Sequence, residues 1–174
     1  MGQIDLQYLI DQEKIRRLRH DFAWFLDTAQ PDRLADLFAP DGFIDAGPWG
    51  RMEGQEAIRR GYGRAYAGAP RFNAMHAVSN GRLDIDGDQA SGTWTLLEVS
   101  LTAAAHENPL KLMAVYHETY RRLAEGWRMS GVTIEFLWSE STGRVTPENP
   151  MVRPRRNAPE DRPSQGSEAA HGKG

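Results

Sequence analysis

Asp27 and His76 are two distant residues whose types suit acid–base chemistry. Asp27 follows the apolar run 22–26 at the end of a predicted helix, and His76 opens a predicted strand. A carboxylate there is disfavoured by about 0.3–1 kcal/mol, because the helix dipole is negative at that end, and burial without a partner would cost more. Pro31 suits the first position of the next helix, which makes Gln30 its N-cap and leaves Asp27 without that role. We therefore expect Asp27 to pair with His76, since a buried Asp–His pair in an apolar cavity is an acid–base device.

The composition is typical of one globular domain with its own core. The chain has 174 residues, of which 40% are hydrophobic and 26% charged, with a net charge of −3. This balance gives no electrostatic reason to expect a nucleic-acid or membrane partner. The absence of cysteine excludes disulfides, thiolate metal sites and a cysteine nucleophile. No signal peptide or long apolar run is found, so a cytoplasmic location is expected.

Hydrophobic periodicity predicts three helices in the first part of the chain. Ile15, Leu18, Phe22, Phe25 and Leu26 form a helical stripe. The helices are expected at 11–26, 31–37 and 55–66. A turn at 41–42, a short extended piece at 43–46 and a loop at 47–50 separate the second helix from the third.

After residue 70 the hydrophobic period changes to two, which is typical of strands. Strands are predicted at 76–85, 90–101, 112–123 and 127–138, with hairpin turns at 86–88 and 125–126. Helices followed by such strands predict an α+β fold, in which a curved antiparallel sheet wraps over the three N-terminal helices. We expect a domain at 1–138 and a tail at 139–174 that is rich in Pro and Arg.

Large side chains near the two candidate residues could line a substrate pocket. Many aromatic groups and few charges would suit an aromatic or polycyclic substrate better than a strongly anionic one, although each member is equally a candidate for the core. Glu98 has the same strand parity as Trp94 and Leu96, so it could face inward, as a second base or as part of an interface salt bridge. The remaining candidate walls are Trp24, Trp49, Tyr62, Tyr66, Phe72, Met75, Tyr116 and Trp138.

Other patterns that could indicate a cofactor or a metal do not hold together. His117 and Glu118 are adjacent, so on a strand they face opposite sides and cannot bind one ion together. The Gly61-Tyr-Gly63 segment lies within a predicted helix and has no strand before it, unlike a dinucleotide-binding loop. Zinc spacing, a phosphate-binding loop and a nucleophile elbow are all missing from the sequence. We therefore expect neither a metal nor a cofactor.

The order of elements, together with the segments at 76–80, 86–90 and 116–129, resembles the nuclear-transport-factor-2-like superfamily, and within it the SnoaL-like branch. The resemblance covers roughly residues 5–138. It implies the cystatin-like α+β barrel, a cone of curved sheet that helices close around an apolar pocket. The superfamily includes isomerases, dehydratases, cyclases and non-catalytic scaffolds, so the fold by itself does not determine the chemistry.

Within this branch the chain resembles scytalone dehydratase, the bacterial bile-acid dehydratase and hexachlorocyclohexane dehydrochlorinase. The match implies that His76 is the base and that Asp27 orients it, without metal or cofactor. Two features depart from the dehydratases. Their tyrosine just before the Asp is not matched, since Phe22, Trp24 and Phe25 occupy this region, and the strand at 90–101 lacks a second His.

These observations predict a lyase of aromatic compound catabolism. We expect proton abstraction and elimination, dehydratase-like or releasing formaldehyde, on a small hydrophobic aromatic or polycyclic metabolite. Three alternatives stay open: an isomerase or cyclase of the same fold, a non-catalytic β subunit of a ring-hydroxylating dioxygenase, and a ligand-binding module. The resemblance also implies a homo-oligomer, either a dimer or a trimer.

Overall fold

The computed structural model describes residues 6–68, 71–101 and 109–151. In this part of the chain, three α-helices precede most of the sheet: α1 (Leu6–Asp27), α2 (Pro31–Ala35) and α3 (Gln55–Ala65). Each predicted helix is confirmed, although α1 begins earlier and α2 ends earlier than predicted. Gln30 is the N-cap of α2 and Pro31 is its first residue, as predicted.

Within the described ranges, seven strands form one curved, unclosed sheet. In chain order they are β1 (Phe38–Asp45), β2 (Arg51–Glu53), β3 (Ala74–Asp86), β4 (Gln89–Ser100), β5 (Leu110–Leu123), β6 (Gly126–Ser139) and β7 (Gly143–Arg144). A short 3₁₀ helix, Gly47–Trp49, separates β1 from β2. The order across the sheet is β2-β1-β6-β5-β4-β3, and β7 pairs with β6. The predicted α+β class is confirmed.

The sheet is mixed, which corrects the prediction of a wholly antiparallel one. β1 pairs with β6 in parallel, whereas the other pairings are antiparallel. A parallel pair needs a long crossover between its strands, and here α3 and β3 to β5 all lie between them in sequence. The predicted turn at 41–42 lies inside β1, where the pairing with β6 shifts register between Phe38 and Phe43.

The core lies between α1 and the concave face of the sheet. Ile15 and Phe22 of α1 are fully buried and pack with inward residues of the strands, such as Tyr116 and Met129. The predicted stripe of α1 is therefore the face that contacts the sheet. Alternation along β5 gives the same result, because the even-numbered residues from Leu110 to Tyr120 are buried while their neighbours are more exposed.

The chain after β6 continues to pack on the domain. The amide of Val145 donates to the carbonyl of Leu137 at 3.0 Å. Met151 is buried and belongs to the core cluster. The first part of the segment predicted as a tail is thus in contact with the domain, while residues 152–174 lie outside the described residues.

Candidate active site

The end of α1 and the start of β3 bring Asp27 and His76 into direct contact. His76 Nδ1 lies 2.6 Å from Asp27 Oδ1. The backbone amide of His76 also donates to both carboxylate oxygens of Asp27 at 3.2 Å. Because an ionised carboxylate only accepts hydrogen bonds, Nδ1 carries the proton and Nε2 is the basic nitrogen. We call this pair the Asp27–His76 dyad.

Local backbone geometry fixes the position of Asp27. Its carbonyl accepts a bond from the amide of Phe72 at 2.5 Å, which joins the helix end to the segment before β3. Ala29, two residues after the end of α1, has a φ of +53°, and Phe72 has a φ of +57°. Positive φ is costly for residues other than glycine and often occurs near functional sites. The hydrogen bond between the Phe72 amide and the Asp27 carbonyl thus helps to hold these two strained residues beside the dyad.

A β-bulge in β3 turns His76 toward the interior. On the C-terminal side of the bulge, Leu83 and Ile85 are the inward residues of this strand. Strict alternation from them would direct His76 outward. The pairing of β3 with β4 shifts register between Ser79 and Arg82, and Asn80 in this stretch has a φ of +53°. The extra residue reverses which residues face inward on the N-terminal side of the bulge. His76 therefore shares its face with partly buried Val78.

The same shift places Glu98 of β4 directly opposite His76. Glu98 Oε2 lies 3.6 Å from His76 Nε2, which is beyond hydrogen-bond range. The side chains of Asp27, His76 and Glu98 are 10%, 9% and 17% exposed, respectively. Both ring nitrogens of His76 thus face carboxylates, one in a short contact and the other across a gap at a partly accessible position.

Tyrosines from α3 and β5 lie in the electrostatic surroundings of Glu98. Burial raises the pKa of Tyr62 well above 10, and the negative charge of Glu98 adds to this effect. Burial also raises the pKa of Tyr116 to about 12, with Arg19 opposing the shift and Glu98 increasing it. The rings of Tyr62 and Tyr66 are stacked with centroids 6.0 Å apart. The phenols of Tyr62 and Tyr116 stay neutral at physiological pH and can donate a hydrogen bond.

The structure distributes the other candidate wall residues over several places. Trp94 is buried, and its indole N–H donates to the hydroxyl of Tyr120 at 3.1 Å. Trp49 packs on Phe136 at a centroid distance of 5.0 Å. Trp138 is half-buried near the end of β6, where it pairs with Arg144 of β7.

Three candidates near the dyad in sequence are largely exposed. Trp24 and Phe72 pack edge to face, with centroids 5.7 Å apart, and about half of each side chain is accessible. Met75 is 60% exposed and lies on the opposite face of β3 from its neighbour His76. The structure does not bring Met75 together with the dyad, because neighbouring residues of a strand point to opposite sides.

Sequence analysis missed a buried ion pair between α1 and β5. Arg19 Nη1 contacts Glu118 Oε1 at 2.8 Å, and neither side chain is exposed. The guanidinium carbon of Arg19 lies 3.9 Å from the ring centroid of Tyr116. Glu118 also accepts a bond from the hydroxyl of Tyr120. Burial raises the pKa of Glu118, while Arg19 opposes that change. The available signal was the position of Arg19, four residues after Ile15 on the buried stripe.

The outer face of the sheet carries a second histidine–carboxylate contact, which is exposed. His117 and Glu118 face opposite sides of β5, as predicted, and His117 Nε2 contacts Glu135 on the exposed side at 2.7 Å. A concavity of about 490 Å³ lies on this outer face, lined in part by Phe43, His117 and Thr133.

Among the described residues, no group of three or more His, Cys, Asp or Glu side chains is arranged to hold a metal ion. Nor does any helix in these ranges have the length and apolar character to cross a membrane.

Comparison with known proteins identifies the family. The family model of the SnoaL-like domain matches residues 7–133. The chain belongs to the SnoaL-like domain family. This assignment agrees with the fold, because solved structures described as cystatin-like or related to nuclear transport factor 2 superimpose on this member.

The curated relatives of this SnoaL-like protein carry no assigned activity. The uncharacterized protein Rv2910c of Mycobacterium tuberculosis is 25% identical over 129 residues, which cover 74% of this chain and 86% of the relative. An uncharacterized protein of Mycobacterium bovis matches to the same extent.

Solved structures of enzymes share the fold at low identity. LinA superimposes with a TM-score of 0.70 at 19% identity, covering 86% of this chain and 99% of LinA. The hexachlorocyclohexane dehydrochlorinase LinA-type3 of Novosphingobium barchaimii gives 0.69 at 21%, covering 83% and 100%. A scytalone dehydratase-like protein of Novosphingobium aromaticivorans gives 0.68 at 21%, covering 85% and 97%. Other similar structures are of proteins with unknown function.

Proposed function

We propose that this protein is a cofactor-independent lyase that uses the Asp27–His76 dyad as a general base. The supporting observation is the 2.6 Å contact between His76 Nδ1 and Asp27 Oδ1, which leaves Nε2 as the basic nitrogen at a partly accessible position. A dehydrochlorinase and a dehydratase-like protein share the fold, and elimination is the chemistry that their names state.

The proposed reaction begins with removal of a proton from carbon by His76 Nε2. An adjacent carbonyl or aromatic system would stabilise the negative charge that develops, and a leaving group would depart from the neighbouring carbon. Asp27 keeps the imidazole in one tautomer and stabilises the imidazolium that forms. General-base catalysis contributes about 10²–10⁴-fold, and positioning of the substrate must supply the rest.

The substrate we propose is a small hydrophobic aromatic or polycyclic metabolite. Tyr62 and Tyr66, both partly buried, supply aromatic surface on the inner side of the fold. In a variant of this chemistry, the same base would remove a hydroxyl proton and release formaldehyde by a retro-aldol step. Both versions need His76 and Asp27 in the same roles.

The test compares wild-type turnover with that of two dyad variants. Suitable probes are aryl ketones with a β leaving group, namely β-hydroxypropiophenone and β-(para-nitrophenoxy)propiophenone. We expect His76→Ala to lower kcat/KM by about 10²–10⁴-fold, because the base is removed. Asp27→Asn keeps the shape of the carboxylate but removes its charge, so we expect a loss within the same range, mainly in kcat.

His117→Ala is the matched control, because His117 also contacts a carboxylate but lies on the exposed outer face of the sheet. It should leave turnover unchanged. Full activity of both dyad variants on a probe that the wild type converts would refute the proposed mechanism.

A further inference from the structure

Glu98 differs from a structural buried acid, and the difference is clearest beside Glu118. Glu118 is fully buried, forms an ion pair with Arg19 and accepts a bond from Tyr120. Glu98 also faces inward but, among the described residues, makes no side-chain hydrogen bond, and His76 is its sole basic neighbour within 4 Å. A carboxyl group turned inward without fixed partners is a candidate for function.

The position of Glu98 relates it to one particular atom. Residues directly opposite each other on antiparallel strands have side chains that interact, and Glu98 faces His76 across the β3–β4 pair. Its Oε2 approaches Nε2, the nitrogen that is proposed to act as base, and not Nδ1, which contacts Asp27. At 3.6 Å the two atoms are too far apart for a hydrogen bond but close enough to exchange a proton after a small movement.

We propose that Glu98 is a second catalytic acid–base residue, which protonates a departing hydroxyl group while His76 removes the carbon proton. The reaction is then the syn elimination of water from a β-hydroxy carbonyl compound. This inference rests on the proposed function and extends it, because it specifies the leaving group and the stereochemistry. Proton removal and hydroxyl departure occur on one face of the substrate, because the two groups lie side by side on neighbouring strands.

The proton balance of this cycle closes without a co-reactant. Nε2 takes the α proton, the electron pair of that C–H bond forms the C=C bond, and the C–O bond breaks. The leaving oxygen takes the proton of the Glu98 carboxyl group and departs as water. His76 is then an imidazolium and Glu98 a carboxylate. Transfer of the proton from Nε2 to Glu98 across the short gap restores the starting state, in which the imidazole is neutral and the Glu98 carboxyl group carries the proton.

Glu98→Gln tests the role of this acid, because the amide keeps the size of the side chain but cannot supply the proton. The two aryl ketone probes give the same product, phenyl vinyl ketone, and differ in the leaving group. Hydroxide needs a proton to depart, whereas para-nitrophenolate departs without one. We expect Glu98→Gln to lower kcat/KM for β-hydroxypropiophenone by about 100-fold or more and for the nitrophenoxy probe by less than about 5-fold.

Exchange of the α protons of propiophenone in deuterium oxide isolates the first step, because this ketone has no leaving group. Glu98→Gln should retain exchange and His76→Ala should lose it. Glu135→Gln, on the outer face, is the control for the charge change and should leave every rate unaltered.

Equal losses on both elimination probes, or no loss on either, would overturn the role of Glu98 while leaving the dyad intact. Anti stereochemistry with a stereospecifically deuterated probe would overturn it as well. Unchanged exchange and elimination in His76→Ala would instead refute the proposed function. A wild type that neither exchanges nor eliminates with these ketones would contradict both proposals for aryl ketone substrates.

Discussion

Replacement of Glu118 by Gln would leave Arg19 as an uncompensated charge in the core. Neither side chain of the pair is exposed, and Arg19 Nε and Nη2 have no hydrogen-bond partner among the described residues. Breaking a buried ion pair from one side costs about 3–5 kcal/mol. For a chain of this length, that loss lowers the Tm by about 6–20 °C. The Tyr120 hydroxyl can still bond to the amide, so the ion pair accounts for most of the change.

Urea unfolding followed by tryptophan fluorescence measures this effect. Glu135→Gln is the matched control, because its ion pair with His117 is exposed and should be worth less than about 1 kcal/mol. The double variant Arg19→Met with Glu118→Gln should recover much of the loss, since both charges are then removed. A cost for Glu118→Gln no larger than that of the control would refute the view that this pair is enclosed and essential.

Two further predictions concern Asp11 and the bulge in β3. Arg122, Trp127 and Gln7 donate to Asp11, and Arg122 holds the pKa of Asp11 well below its ordinary value of 3.8. This stabilisation is complete above about pH 4 and is lost as the pH falls further, so Asp11→Asn should flatten the acid side of a plot of unfolding free energy against pH. Deletion of Asn80 should remove the bulge and turn His76 outward, so we expect at least about 100-fold lower turnover from a protein that is still folded by circular dichroism. Asn80→Gly is the control and should keep both fold and turnover. A deletion variant that remains active would contradict this reasoning.

Periodicity predicted most of the elements because it reports which face of each helix or strand is buried. It could not reveal the parallel pairing of β1 with β6, because strand partners that are far apart in sequence leave no local signal. The hairpin turn after Asp86 shows a further limit. Regular pairing from that turn would set His76 opposite Val99, whereas the bulge sets it opposite Glu98. Strand parity alone indicated that Glu98 faces inward but not which residue it meets.

Buried charges were the other feature that the sequence concealed. Arg19 and Asp11 lie on the stripe of α1 that contacts the sheet, but a charged residue is ordinarily assumed to face solvent. Their burial depends on Glu118, Arg122 and Trp127, which are about a hundred positions away and share no pattern with them. Asp27 was recognised because its apolar context and the helix dipole both opposed a charge, and because a His opened a later strand.

Helix α1 attaches to the sheet through three polar anchors spaced eight residues apart, about 12 Å along its axis. Asp11 is held by several donors from β5 and β6, and Arg19 is enclosed with Glu118. Each of these two anchors has an oppositely charged partner, and solvent barely reaches them. The third anchor differs, because the partner of Asp27 is a ring whose second nitrogen makes no hydrogen bond within the described residues and faces Glu98 across 3.6 Å. The first two anchors hold the helix, and this rigidity keeps the third in the geometry that proton transfer to a ligand needs.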